Sequence, residues 1–305
     1  WIGFRMLKFL VRLVYLPLFL IGGNGIAIYV VTMGYSKFWL LVVAFAFIVL
    51  AFLLERAVPY DAAFNKSHGD RVRDFLHFLV NEASNVLGVA SVPIAASFIA
   101  LPSVWPDSLP LWQQLLLAIF IADIGITLAH FASHRIGVLW RLHAVHHSVK
   151  RMYGFNGLMK HPLHQFIETV AGSTPLLLMG ISQDVLALLV VAVVLQLLLQ
   201  HSNVAYFTGP FKYLLAINVV HRFHHLKTAE EGDVNFGLFT VLTDWFLGTY
   251  FYDKKRAIGA GDLGIGDQPD FPVGYLKELV IPFQKSRSEL TMAVGHEPDA
   301  KVRKS

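Results

Sequence analysis

The chain has 305 residues, 55% hydrophobic and 15% charged, with mean hydropathy +0.55 and a formal net charge of +4. A soluble domain carries about 25% charged residues, so this balance excludes a disordered or nucleic-acid-binding tail protein and points to an integral membrane protein. Cysteine is absent, which excludes a disulfide frame, a thiolate metal site, a Cys nucleophile and Fe–S ligation.

The chain begins with Trp1 rather than Met, which leaves a natural start further upstream open. A spanning helix needs about 20 mainly apolar residues. Four stretches meet this: Leu13–Met33, with a soft Gly22-Gly23-Asn24 centre; Phe38–Leu54; Ala83–Leu101, with Pro93 as a candidate kink; and Leu111–Ala129, interrupted by Asp123. Between the second and third, Asp70–Val80 has the pattern of a short interfacial helix. Thr169–Leu199 holds two shorter apolar stretches broken around Gly180–Asp184, the pattern of a helical hairpin that does not fully cross. The tail from Phe251 is more polar, Gly-rich over Ile258–Gly266, and its last 20 or so residues have an unstructured composition. The expected fold is an all-α integral membrane protein with about four full spans and a short hairpin, carrying a His-rich helical cap. Three regions follow: 1–110, N-terminal spans and the interfacial segment; 111–252, the His-rich region; 253–305, the polar tail.

Lys and Arg set the orientation. Arg5, Lys8 and Arg12 precede the first span, Arg56, Lys66, Arg71 and Arg73 follow the second, and Arg135, Arg141, Lys150, Arg151 and Lys160 follow the fourth; the opposite loops hold only Lys37. Both termini and the cap are therefore expected on the cytosolic side of a bacterial inner membrane or the endoplasmic reticulum. The basic residues read as topogenic and lipid-headgroup contacts.

Histidine is in excess. Of 14 histidines, 11 lie between His130 and His225. They form His130-x-x-x-His134, His143-x-x-His146-His147, a looser set of His161, His164 and His201, and His221-x-x-His224-His225. Residues at i, i+3 and i+4 share a helical face, so each box aims two or three imidazoles one way. With this histidine content, about 0.03 copies of HxxHH are expected by chance, and two are present. Imidazole suits Fe, Zn, Cu and Ni. Eight or more imidazoles exceed the four ligands of one tetrahedral zinc, so two metals are the economical reading. Asp123 shares a stripe with Thr127, His130 and His134 and is a candidate to orient a ligand. His161, His164 and Glu168 share another face, and Asn218 precedes His221. His68 and His77 are isolated and read as structural.

In this order and spacing the motifs resemble the fatty acid hydroxylase / sterol desaturase superfamily of integral-membrane diiron oxygenases. The likeness runs from about Leu111 to Tyr252. It includes His161-Pro-Leu, His201-Ser-Asn203, Asp233-Val-Asn235-Phe-Gly237 and Thr243-Asp244-Trp-Phe-Leu-Gly248-Thr. One departure is His164, where the family's His-Pro-Leu-Glu element has Glu; Glu168 follows one turn later as a substitute. The resemblance implies two iron ions, O₂ and an external electron donor, with hydroxylation or desaturation of an unactivated C–H bond in a lipid such as a sterol or fatty acyl lipid. The expected partners are that lipid and a separate electron carrier of cytochrome b5 or ferredoxin type with its reductase, and no nucleic acid. The expected metal ligands are His130, His134, His143, His146, His147, His221, His224 and His225, with His201 as a ninth and His164 as a tenth. Asp123, His161, Glu168, Asn203, Asn218, Asn235 and Asp244 are expected around them. Trp140, Tyr153, Phe155, Phe223 and Phe236 are candidate tunnel walls or interfacial anchors. Zinc binds nitrogen ligands more tightly than Fe²⁺, so zinc is an acceptable occupant in a structure. The alternatives are a dizinc membrane hydrolase, which requires a general base such as Glu168, and a metal-handling transporter or sensor.

Overall fold

A computed structural model describes residues 2–96 and 103–284. The described residues form no sheet, only three isolated β-bridges, and the architecture is helical. Helix α1 (Ile2–Pro17) runs through a π-helical segment at 18–23 into α2 (Asn24–Thr32). Gly23 in that segment lies against Leu195, where an added Cβ would clash, so the Gly-Gly pair lets the helix approach the bundle centre. Next come α3 (Phe38–Ala57), α4 (Arg71–Ala96), α5 (Leu111–Arg135), α6 (Gly137–His147), α7 (Pro162–Leu178) and α8 (Gln183–Gln200). Short helices follow: α9 (Asn218–His224), α10 (Ala229–Gly232), α11 (Leu242–Leu247) and α12 (Tyr275–Val280).

Among the described residues, four helices are long and apolar enough to cross a membrane: Arg5–Thr32, α3, α5 and α8. The chain is an integral membrane protein on that ground. Three of these were expected from sequence, the fourth is α8, and the expected span Ala83–Leu101 runs beyond the described residues. Helix α8 belongs to the stretch read as a hairpin, yet 67% of its most apolar window is buried, against 28–33% in the other three. It is the central helix, packing on α2, α3 and α5. A helix apolar on every side is one that protein surrounds. The turn before it uses Gly180 at φ +83° and Ser182, whose Oγ accepts the Val185 N–H.

Asp70–Val80 is not a separate interfacial helix. Arg71–Val80 opens α4, which continues unbroken to Ala96. The reason is that its polar side is buried rather than solvated: Arg73 pairs with Asp74 and Glu278, and His77 Nε2 lies 2.8 Å from Glu278 Oε2. The last part of the Ala83–Leu101 stretch lies outside the described residues, as do 285–305 with His296. Helices α5 and α7 cross closely because Gly125 abuts the Ala171 carbonyl and Gly172 abuts Ile126, the small-residue contact that membrane helices favour.

Candidate metal centre

The histidines converge at the end of the bundle formed by the end of α5, α6, the end of α8 and α9. Two groups result: His130, His134, His143, His147 and His224; and His146, His201, His221 and His225. Within each, one nitrogen per residue lies within 4.8 Å of all the others. In the first group the Nε2–Nε2 distances are 2.9 Å for His130–His143, 3.0 Å for His143–His147 and 3.0 Å for His147–His224. In the second, His201–His221 and His221–His225 are each 3.1 Å. The groups adjoin, with the His147 and His225 rings stacked at 4.7 Å.

Hydrogen bonds decide which nitrogen faces inward. The Nδ1 of His130 donates to the Phe236 carbonyl (2.7 Å), that of His146 to the Met159 carbonyl (2.8 Å) and that of His224 to the Val234 carbonyl (2.9 Å). His134 Nδ1 donates to Asp233 Oδ1 (2.9 Å) and His201 Nδ1 to Asn156 Oδ1 (3.2 Å). A proton on Nδ1 leaves Nε2 of the neutral ring as a lone pair. His134 Nε2 is buried with no partner. Lone pairs packed 3 Å apart repel unless a cation lies among them. Adjacent nitrogens around a metal at about 2.1 Å stand about 3.0 Å apart in octahedral geometry, which matches these separations. The donor set fits two imidazole-bound metal ions. Burial, reinforced by neighbouring imidazoles, pushes His143, His146, His147, His201, His221, His224 and His225 well below the usual histidine pKa. That keeps them neutral, the form that binds metal.

His164 joins neither group. Its Nε2 bonds Ser133 Oγ at 2.9 Å, and Nδ1 lies 3.8 Å from Glu168 Oε1. Its ring packs 4.4 Å from His143, so it buttresses a member of the first group. His161 is further out: its Nδ1 caps α7 at Leu163 N–H and its Nε2 meets the Leu279 carbonyl. Glu168 is paired with Lys160.

Asp123 does not bond an imidazole. Its carboxylate accepts the N–H groups of Leu238, Phe239 and Thr240 and the Thr240 hydroxyl. Asp244 accepts the N–H groups of Phe236 and Gly237, and Gln196 and Gln200 donate to the Gly237 and Leu238 carbonyls. These bonds pin the loop whose Phe236 carbonyl orients His130. Asn235, at φ 57°, donates to the Val220 and Phe251 carbonyls, and Asn218 donates to those of Ser202 and Val204. Asn203 bonds Asp61 and Asn65. None of Asp123, Asp244, Asn235, Asn218 and Asn203 bonds a ring; loop carbonyls take the Nδ1 protons of His130, His146 and His224 instead.

Several groups that bond the rings were missed from sequence. Asn156, Ser133 and the carbonyls of Met159 and Val234 carry no motif signal. Asp233 stood within a quoted motif, and its pairing with His134 is long-range. Glu55 has a subtler role: it accepts the N–H groups of Gly154 (2.6 Å) and Asn203 (3.0 Å), joining the end of α3 to the turns that carry Asn156 and His201. Several basic residues read as topogenic are buried ion partners instead, namely Arg73, Arg151 with Asp70, and Lys160. Of the aromatics, Trp140 and Phe236 flank His134 with ring centroids 5.0 Å away. Tyr153 and Phe155 line a groove beside α3 and α4, and Phe223 belongs to a separate apolar cluster with Phe64 and Met152.

A cavity of about 430 Å³ opens directly on His134, His147 and His224. Trp140, Leu226 and Ile265 form its apolar wall; Lys227, Glu230, Asp233 and Asp267 make the rest polar.

Residues 115–249 match the family model for fatty acid hydroxylase. Over 270 residues the chain is 32% identical to the ornithine lipid hydroxylase OlsE of Rhizobium tropici, covering 85% of this chain and 80% of that protein. It is 26% identical over 161 residues to the alkylglycerol monooxygenase of Danio rerio, covering 53% of this chain and 34% of that protein. No solved structure matches.

Proposed function

The chain belongs to the fatty acid hydroxylase superfamily, and on that premise we propose that it is an O₂-dependent diiron hydroxylase of a membrane lipid. Family membership and named lipid hydroxylases among the relatives support a membrane lipid hydroxylase; the two adjoining imidazole groups support the dimetal reading and carry it. Bound there, two irons supply oxidation of an unactivated C–H bond by O₂, in which R–H, O₂, two electrons and two protons become R–OH and water. The electrons come from a separate cytochrome b5- or ferredoxin-type carrier. The excess of exposed Lys and Arg at one end of the spans supports a site on the cytosolic side.

The chain's own residues position and select. Nδ1 acceptors fix the ring orientations, and Trp140 and Phe236 wall the first group. The adjacent cavity joins an apolar wall to the charged side chains of Lys227, Glu230, Asp233 and Asp267, which suits a carbon in or beside a lipid head group. Glu230 and Asp267 carry no partner among the described residues, which suits a head group bearing an amine. The relatives' names, an ornithine lipid hydroxylase and an alkylglycerol monooxygenase, agree with a polar-headed lipid and with hydroxylation over desaturation. The dizinc hydrolase reading needed Glu168 as a base, and Lys160 engages that carboxylate.

The test is anaerobic purification with metal analysis, then turnover with ¹⁸O₂ on extracted lipids. Two irons per chain and a lipid product 18 mass units heavier are expected. Two zincs, with product formed without O₂, would overturn the reading.

A further inference from the structure

A second cavity, about 520 Å³, lies between α3 and α4 away from the histidines. Its wall is apolar and open to the outside: Phe45, Leu53 and Phe75 are 67%, 57% and 51% exposed. Its rim carries two exposed arginines, Arg56 at the end of α3 and Arg71 at the start of α4. The other acidic and basic groups nearby are already satisfied. Arg151 is bound to Asp70, and the Glu55 carboxylate accepts two backbone N–H groups. Arg56 and Arg71 have no hydrogen-bond or ion-pair partner among the described residues. From Phe45 to Arg56 the groove follows about 16 Å of helix, the scale of a lipid chain. A charge pair at the membrane interface above an apolar groove is complementary to a molecule with an anionic head and a hydrocarbon tail.

We propose that this groove binds an anionic phospholipid, its phosphate held between Arg56 and Arg71 and an acyl chain laid along Phe45, Phe52 and Phe75. The site is distinct from the proposed catalytic cavity. It is coupled to it through the turn at 154–158: Tyr153 and Phe155 wall the groove, and Asn156 orients His201.

Binding is read without turnover, so it is independent of the proposed reaction. Delipidated full-length protein is titrated with phosphatidylglycerol or phosphatidylcholine in nanodiscs and retained lipid is counted by native mass spectrometry. Wild type retains phosphatidylglycerol over phosphatidylcholine. The double variant R56A/R71A weakens that preference on the order of tenfold, and R56K/R71K restores part of it. Val49→Trp, which fills the groove and leaves both arginines, also loses the lipid. Metal content at the wild-type level in each variant reports an intact fold. Equal retention of the two lipids by wild type, unchanged phosphatidylglycerol retention in both R56A/R71A and Val49→Trp, or displacement by inorganic phosphate alone would overturn the proposal.

Discussion

Asp233 Oδ1 accepts the Nδ1–H of His134 at 2.9 Å, while Arg135 holds its other oxygen at 2.7 Å. This is the one carboxylate bonded to an imidazole of either group among the described residues. The pairing spans 99 residues and fixes which nitrogen His134 turns inward. An Asp233→Asn substitution is expected to weaken metal binding at the first group about 10–100-fold with little change in thermal stability. Competition with a chelator of known affinity measures it, and the second group serves as internal reference.

His224 and His146 sit one in each group. His224→Ala and His146→Ala should each lower bound metal below two per chain. Turnover should fall at least about 100-fold while the protein still inserts in the membrane. Metal analysis on membrane-extracted protein checks this. Retained activity in both variants would remove the ligand assignment.

His164 should behave differently. Its Nε2 is spent on Ser133 and it lies in neither group. His164→Gln is expected to keep two metals per chain and to lose turnover by less than about tenfold, as expected for a buttress rather than a ligand. A drop to one metal would make it the tenth ligand.

Asp123 is buried within α5 and answers three backbone N–H groups and a hydroxyl. Asp123→Ala orphans them, at roughly 3 kcal/mol or more in total. A lower unfolding temperature in detergent is expected, together with reduced metal retention through the Phe236–His130 bond. Asp123→Asn should recover part of the stability, because its amide oxygen still accepts.

Glu230 and Asp267 test the head-group reading. Neutralising both, as Glu230→Gln with Asp267→Asn, should raise KM for an amine-headed lipid about tenfold, with kcat near wild type, since neither touches a histidine of the two groups. An unchanged KM would return the choice of head group to the open cavity wall.

Periodicity and composition were enough for the membrane class, for three of the four span-length apolar helices among the described residues, and for the nine imidazoles of the two groups. Those signals are local. Helical spacing puts His143, His146 and His147 on neighbouring turns whatever surrounds them, and a run such as Phe38–Leu54 is apolar in any context. Tertiary structure decided what local pattern cannot carry. It made α8 the central helix, because burial on all sides depends on neighbours. It divided both HxxHH boxes between the two groups, sending His143, His147 and His224 one way and His146, His221 and His225 the other, because the partners come from α5, α6, α8 and α9. It moved Asp123 from a ring to a loop 115 residues away, and it gave the ring-orienting role to carbonyls, which every residue possesses and no motif can mark.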